Sequence, residues 1–204
     1  MNLTARIDAL ATSLETPLPV ATRKRLVAFT QLVQTWNAHL DLTAAREDAA
    51  LVEVLFADAM VMADRAFVPE AAQVLDVGSG GGAPALPFAL LREDVRLTMV
   101  EPLRKRIAFL RTAIGALGLA DRVRAVEGRV EPGRPHAETG DVASARATFA
   151  PDLWQSAGLV LAPACLVFSV AEVEAAPGAR LVHVRRYALP WSLAPRVLTR
   201  VERG

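Results

Sequence analysis

The stretch of this 204-residue chain best suited to chemistry is Asp76-Val77-Gly78-Ser79-Gly80-Gly81-Gly82, followed by Ala83 and Pro84. Val74 to Val77 reads as a short strand running into glycines, and the residues after Ala83 regain helical character, with Pro84 suited to a first turn. Glycines between a strand and a helix let the backbone approach a ligand with no Cβ in the way. Gly78 to Ala83 also satisfies G-x-G-x-x-G/A, a weak pattern that gains weight from this context. A second group supports it. Glu101 ends the next strand about 20 residues on, where a carboxylate can accept from both hydroxyls of a ribose.

Dinucleotides and S-adenosylmethionine share that ribose, and Asp76 is expected to separate them. At the mouth of the loop its carboxylate would meet a pyrophosphate at roughly 4 Å, a repulsion of about 4 kcal/mol at an effective dielectric of about 20. S-adenosylmethionine carries no phosphate and brings an ammonium and a sulfonium, which a carboxylate attracts. The residues therefore predict an S-adenosyl-L-methionine site in preference to a purely structural glycine turn. Other chemistry is poorly supported. The single cysteine, Cys165, excludes an internal disulfide and reads as a small buried hydrophobe in a strand. His39, His136 and His183 are scattered and read as structural or surface residues, so no metal is expected.

The elements that must position these residues follow from periodicity. Leu3, Ile7, Leu10 and Leu14 repeat at helical spacing until Pro17 and Pro19 interrupt them. A second helix is predicted from about Thr22 to Leu40, with Leu26, Phe29, Val33, Trp36 and Leu40 on one stripe. A third is predicted from about Glu47 to Ala66, with Leu51, Leu55 and Met62 toward the core. From Gln73 strands alternate with helices: strands at 95–100, 123–126, 141–145 and 166–170, helices at 104–117 and 151–161. That order argues a parallel sheet covered on both faces. Residues 180–187 and 196–202 read instead as an antiparallel hairpin, which suits the methyltransferase variant of the doubly wound sheet better than the dehydrogenase one. The expected fold is thus α/β, a class I S-adenosylmethionine-dependent methyltransferase. Residues 67–204 form its Rossmann-like, mostly parallel core, and 1–66 an N-terminal helical extension packed on it.

Composition sets outer bounds. A hydrophobic fraction of 52% and a mean hydropathy of +0.28 can fill a large core. No apolar run reaches the roughly 18–20 residues a membrane span needs. Met1 to Val20 lacks an apolar stretch behind a basic start, so no signal peptide is expected and a cytoplasmic location is the default. The net charge of +1 announces no nucleic-acid binder. Basic residues do cluster at Arg23-Lys24-Arg25, at Arg104-Lys105-Arg106 with Arg111, and from Arg185 to Arg203. Each cluster reads as either a solvated face or a phosphate contact.

Several motifs occur together at fixed spacings: Trp36-Asn37 with Leu42-Thr43 and Arg46; VLDVGSGGGAPALP from Val74 to Pro87; and Glu101 with Lys105-Arg106 and Phe109-Leu110. Gly128-Arg129-Val130-Glu131 and DVASARA from Asp141 to Ala147 complete the set. In this combination the chain resembles, over nearly its whole length, the bacterial RsmG (GidB) family, which methylates N7 of a guanine in small-subunit (16S) ribosomal RNA. The resemblance implies that Gly78, Ser79 and Gly80 lie under the methionine part of the cofactor and that Ala83 touches it. It implies that Val130 and Glu131 contact the adenine side. It also implies that Arg146 reaches into the site from its strand end as the residue acting at the reacting centre. A strand-end arginine paired with a nearby carboxylate is the plainer reading of Arg146. The implied partner is small-subunit ribosomal RNA or the assembled subunit, with no membrane and no metal; the oligomeric state is left open.

The chain departs from the family at several positions. The family's H-x-x-D-S stands here as Leu55-Phe56-Ala57-Asp58-Ala59, the asparagine of N-L-T is Asp41, and a lysine-glycine pair is replaced at Val170-Ala171. Placed on the substrate-facing side, these changes predict weakened activity on the usual guanine. Two alternatives therefore stand beside the ribosomal reading: a methyltransferase of the same descent acting on a small molecule or another RNA, and a catalytically silent protein that keeps the cofactor pocket.

Overall fold

A computed structural model describes all 204 residues. Three helices come first: α1 (Leu3–Ser13), α2 (Val20–Asn37) and α3 (Asp48–Met62). Asn2 caps α1 by accepting from the Ala5 N–H at 2.9 Å, and Ile7 and Leu10 point inward as their spacing requires. The second helix ends at Asn37, three residues before its predicted end at Leu40. The Asn37 side chain turns back on the following loop: Oδ1 accepts from the N–H groups of Leu42 (2.9 Å) and Thr43 (3.1 Å), and Nδ2 donates to the Thr43 carbonyl (3.0 Å). The third helix corrects the expectation of a single apolar stripe. Every residue from Leu51 to Met62 is buried except half-buried Val54, so α3 is packed on all sides, as a helix apolar all round must be.

The rest is β1 (Gln73–Val77), α4 (Ala85–Leu91), β2 (Arg96–Glu101), α5 (Arg104–Ala116), β3 (Val123–Glu127), β4 (Val142–Ala145), α6 (Pro151–Leu161), β5 (Ala164–Ser169), β6 (Ala179–Ala188) and β7 (Pro195–Arg203). Pro84 falls just before α4, not within its first turn. The seven strands run in the order β3-β2-β1-β4-β5-β7-β6. The first five are parallel, and β7 enters antiparallel between β5 and β6. Chain order reverses between β1 and β4, which opens a crevice at the C-terminal ends of those strands.

Alternation divides the sheet into two unequal faces. Val74, Leu97, Met99, Val142, Ala164 and Leu166 join a large core with all of α1 to α5. Leu75, Val77, Ala143, Cys165 and Val167 point the other way into a smaller cluster under α6, closed by Trp154. Both faces are covered, but one side chiefly by α6. The N-terminal helices share one continuous core with α4, α5 and the sheet. No helix is long and apolar enough to cross a membrane.

Candidate functional site

The glycine loop turns sharply because Gly78, Gly80 and Gly82 all adopt positive φ. At Gly78, φ is +71°, and a Cβ would stand 2.3 Å from Thr148 Oγ1, so this turn admits only glycine. The loop is anchored by the Gly78 and Ser79 N–H groups, which donate to the Val100 carbonyl at 2.8 and 3.3 Å. Glu101 secures it further. Its Oε2 accepts from the Gly80 N–H at 2.9 Å and its Oε1 from the Leu103 N–H at 3.1 Å. The carboxylate is nearly buried, fixed by two backbone donors, and turned toward a cleft with lone pairs to spare.

That cleft, of roughly 450 Å³, is lined by Gly78, Ser79, Gly80, Gly81, Ala83 and Glu101 together with Leu42, Arg106, Arg129, Arg146 and Thr148. Leu42 forms one wall. Gly81 lies so close beneath it that a Cβ would be 3.1 Å from the Leu42 carbonyl oxygen. The Trp36-Asn37 to Thr43 motif thus acts structurally, because Asn37 holds the loop that brings Leu42 onto the glycines. Arg106 donates to the Asp41 carbonyl at 3.1 Å and closes the same wall.

Six of the residues expected at the site line the cleft: Gly78, Ser79, Gly80, Ala83, Glu101 and Arg146. Three do not. Asp76 lies beneath the loop, 3% exposed, and accepts from the Ser144 hydroxyl at 2.6 Å. Burial pushes its carboxyl above the ordinary range, against the lowering effect of the Ser144 and Ser79 hydroxyls. Asp76 is therefore not among the residues that line the cleft. Val130 is buried in the smaller core cluster, and Glu131 is exposed and paired with Arg134 at 2.8 Å. Arg129, their neighbour, faces the cleft instead.

Arg146 is paired with a carboxylate and also borders the cleft. Its Nη1 donates to Asp58 Oδ2 at 2.9 Å and to the Val54 carbonyl at 2.7 Å. Asp58 Oδ1 accepts from the Tyr187 hydroxyl at 2.5 Å, and burial beside this carboxylate raises the phenol far above its usual range. Helix α3, strand β4 and the terminal hairpin are therefore joined at one ionic cluster. Arg146 and Ala147 also line a second cavity of roughly 370 Å³, whose walls include Glu53, Val54, Asp58, Phe168, Ser169, Val170 and Arg196. Arg146 stands between the two spaces.

The altered family positions divide. Val170 lines the second cavity, whereas Leu55 (2% exposed) and Ala59 (fully buried) belong to the large core and line neither cavity. Their placement on the substrate side is corrected by helix geometry: Val54 and Asp58, four residues apart, share the cavity face, and Leu55 and Ala59 are rotated about 100° from it. The basic clusters divide as well. Arg104 and Arg106 stand at the cleft end of α5. Arg25 binds the Leu117 carbonyl at the far end of that helix, about 20 Å away, and Arg23 pairs with Asp8. Cys165 is buried, and burial pushes its thiol up to about 12.

The family model described as rRNA small subunit methyltransferase G matches residues 22–154. The chain belongs to this family. A relative named ribosomal RNA small subunit methyltransferase G from Anaeromyxobacter dehalogenans is 33% identical over 95% of both chains. One of the same name from Clostridium botulinum is 35% identical over 60% of this chain, and the match spans only 52% of that relative's length. Among solved structures, an S-adenosylmethionine-dependent methyltransferase from Geobacter sulfurreducens, in complex with S-adenosyl-L-homocysteine, superposes with a TM-score of 0.54. It covers 85% of this chain and 98% of its own at 12% identity, a likeness of fold.

Proposed function

We propose that this protein is an S-adenosylmethionine-dependent methyltransferase that methylates N7 of a guanine in small-subunit ribosomal RNA. The observation carrying the reading is Glu101, a buried carboxylate oriented by the Gly80 and Leu103 N–H groups at the edge of a glycine-built cleft. In that role Glu101 accepts from the ribose hydroxyls. Gly81 and Ala83 line the cleft with N–H groups that make no bond within the protein, and these hold the methionine carboxylate. Residues 1–66 act as an extension that completes the pocket, since Leu42 supplies its wall.

When bound, the cofactor supplies a methyl group on a sulfonium, which guanine N7 can take with its lone pair and without losing a proton. A general base is therefore unnecessary, and Asp58, engaged by Tyr187 and Arg146, is arranged to hold Arg146 still. Arg146 positions the acceptor at the junction of the two cavities. Placement of the reacting atoms about 3–3.5 Å apart is what such a site contributes. Arg106 and Arg129 at the cleft, with Arg104 and Lys105 beside them, present positive charge to an RNA backbone.

Titration calorimetry should show S-adenosylhomocysteine binding and NAD not binding. Labelled methyl groups should pass to isolated small ribosomal subunits and not to a metabolite extract. Transfer to the extract alone would establish the alternative of a different substrate, and binding without transfer to either would establish the silent scaffold.

A further inference from the structure

The second cavity holds one acceptor group that the fold leaves free. Glu53 is 4% exposed and, like Val54 and Asp58, lines this space. Its Oε1 accepts from the N–H groups of Trp191 (2.7 Å) and Ser192 (3.0 Å), both in the β6–β7 turn. These two donors fix the plane of the carboxylate. Oε2 makes no hydrogen bond within the protein, and Glu53 lines the cavity. With Oε1 held by two backbone donors and Oε2 open to the cavity, the carboxylate keeps its outward lone pairs for a donor on a ligand.

Arg146 lines the same cavity, and its Nη1 is engaged while Nη2 and Nε have no partner in the protein. Glu53 precedes Asp58, the partner of Arg146, by five residues, about 7.5 Å along the helix axis. A purine in this cavity meets a donor in Arg146 and an acceptor in Glu53, with Phe168 on the wall as an apolar surface. Guanine presents the acceptors N7 and O6 along one edge, and its N1–H and N2 amine continue from O6 around the adjoining edge. Adenine has an amine in the place of O6, a lone pair in the place of N1–H and no amine at C2.

We propose that Glu53 selects the acceptor base: Oε2 accepts from the N1–H and N2 amine of a guanine whose O6 meets Arg146 and whose N7 faces the cofactor cleft. This rests on the reading of the protein as a guanine-N7 methyltransferase and names the residue that makes it so. Adenine in the same pose sets its lone pairs against a carboxylate and its amine against an arginine, and both contacts exclude it.

Glu53→Gln is the informative change. The amide must keep its carbonyl toward the Trp191 and Ser192 N–H groups, so its NH₂ replaces Oε2 and an acceptor becomes a donor. On unmethylated small subunits, kcat/KM should fall about 10–200-fold, the range for a lost bond to a charged group. The thermal midpoint and the Kd for S-adenosylhomocysteine should stay unchanged. In parallel, with S-adenosylhomocysteine present, the wild-type protein should bind GMP more tightly than AMP, and Glu53→Gln should erase the difference. An active wild-type enzyme with a fully active Glu53→Gln variant would overturn the proposal and leave the function standing. An inactive wild-type protein would overturn the function, and the GMP–AMP comparison would then decide the cavity on its own: equal affinities would refute the assignment of Glu53.

Discussion

Replacing Glu101 by alanine should remove most of the affinity for S-adenosylhomocysteine. The side chain does two things that can be separated. Toward the ligand it offers lone pairs to two ribose hydroxyls, and bonds to a charged acceptor contribute about 1.5–3 kcal/mol each. Losing both costs about 3–6 kcal/mol, or roughly 100- to 20,000-fold in Kd. Toward the protein it satisfies the Gly80 and Leu103 N–H groups. Both border an open cleft where water can replace the carboxylate, so the loss of stability should be at the low end, about 1–2 kcal/mol. In a chain of this size that lowers the thermal midpoint by about 2–8 °C. Calorimetric titration with the product avoids turnover and reads the first effect, and a thermal melt reads the second. Glu127, exposed at the equivalent end of β3 and paired with Arg104 at 3.0 Å, is the control, and Glu127→Ala should leave the Kd unchanged. A Glu101→Ala protein that melts normally and binds within about threefold of wild type would refute the assignment of Glu101 to the ribose.

Three further expectations follow from the same geometry. Leu55→His should destabilise the fold by about 2–4 kcal/mol in urea denaturation, because it puts an imidazole into the large core; a gain in methylation would instead return that position to the substrate side. The Arg92 guanidinium beside Asp94, at 2.7 Å, holds the Asp94 carboxyl well below the usual carboxylate range. Stability from this lowered folded-state pKa is present above the unfolded value of about 3.9 and is lost as pH falls below it. Asp94→Asn should therefore flatten the acid limb of a melting-temperature profile, and an unchanged limb would count against the pair. Binding to small subunits should weaken steeply with salt. Arg106→Ala or Arg129→Ala should reduce the logarithmic slope by about one, and Arg23→Ala, at the far end of the molecule, should not.

The parts of the site legible in the sequence are those built from neighbouring residues. The strand, glycine turn and Glu101 lie within 30 residues, and their placement around the cleft follows from backbone conformation and strand order. The antiparallel hairpin was equally plain from its two alternating runs. What the sequence concealed depends on contacts across the fold. The Glu53 carboxylate meets the turn at Trp191 and Ser192, and Asp58 meets both Arg146 and Tyr187, pairs separated by 88 to 139 residues. Periodicity had no hold on α3, because a helix apolar all round gives no preferred face. It therefore could not show that Val54 and Asp58 face the cavity while Leu55 and Ala59 face the core. The placement of Asp76 was hidden for a related reason. Its position at a strand end is local information, but the Ser144 hydroxyl on the adjacent strand holds it under the loop.

The most direct test is nucleoside analysis of small-subunit RNA after incubation with the purified protein and S-adenosylmethionine, using subunits from a strain that lacks this modification. Mass spectrometry of the digested RNA should show 7-methylguanosine approaching one equivalent per subunit, with no other methylated nucleoside increased. The same yield should fail to appear with Glu101→Ala at cofactor concentrations that saturate the wild type. Absence of 7-methylguanosine from a protein that demonstrably binds S-adenosylhomocysteine, or a rise in a different methylated nucleoside, would contradict the assignment.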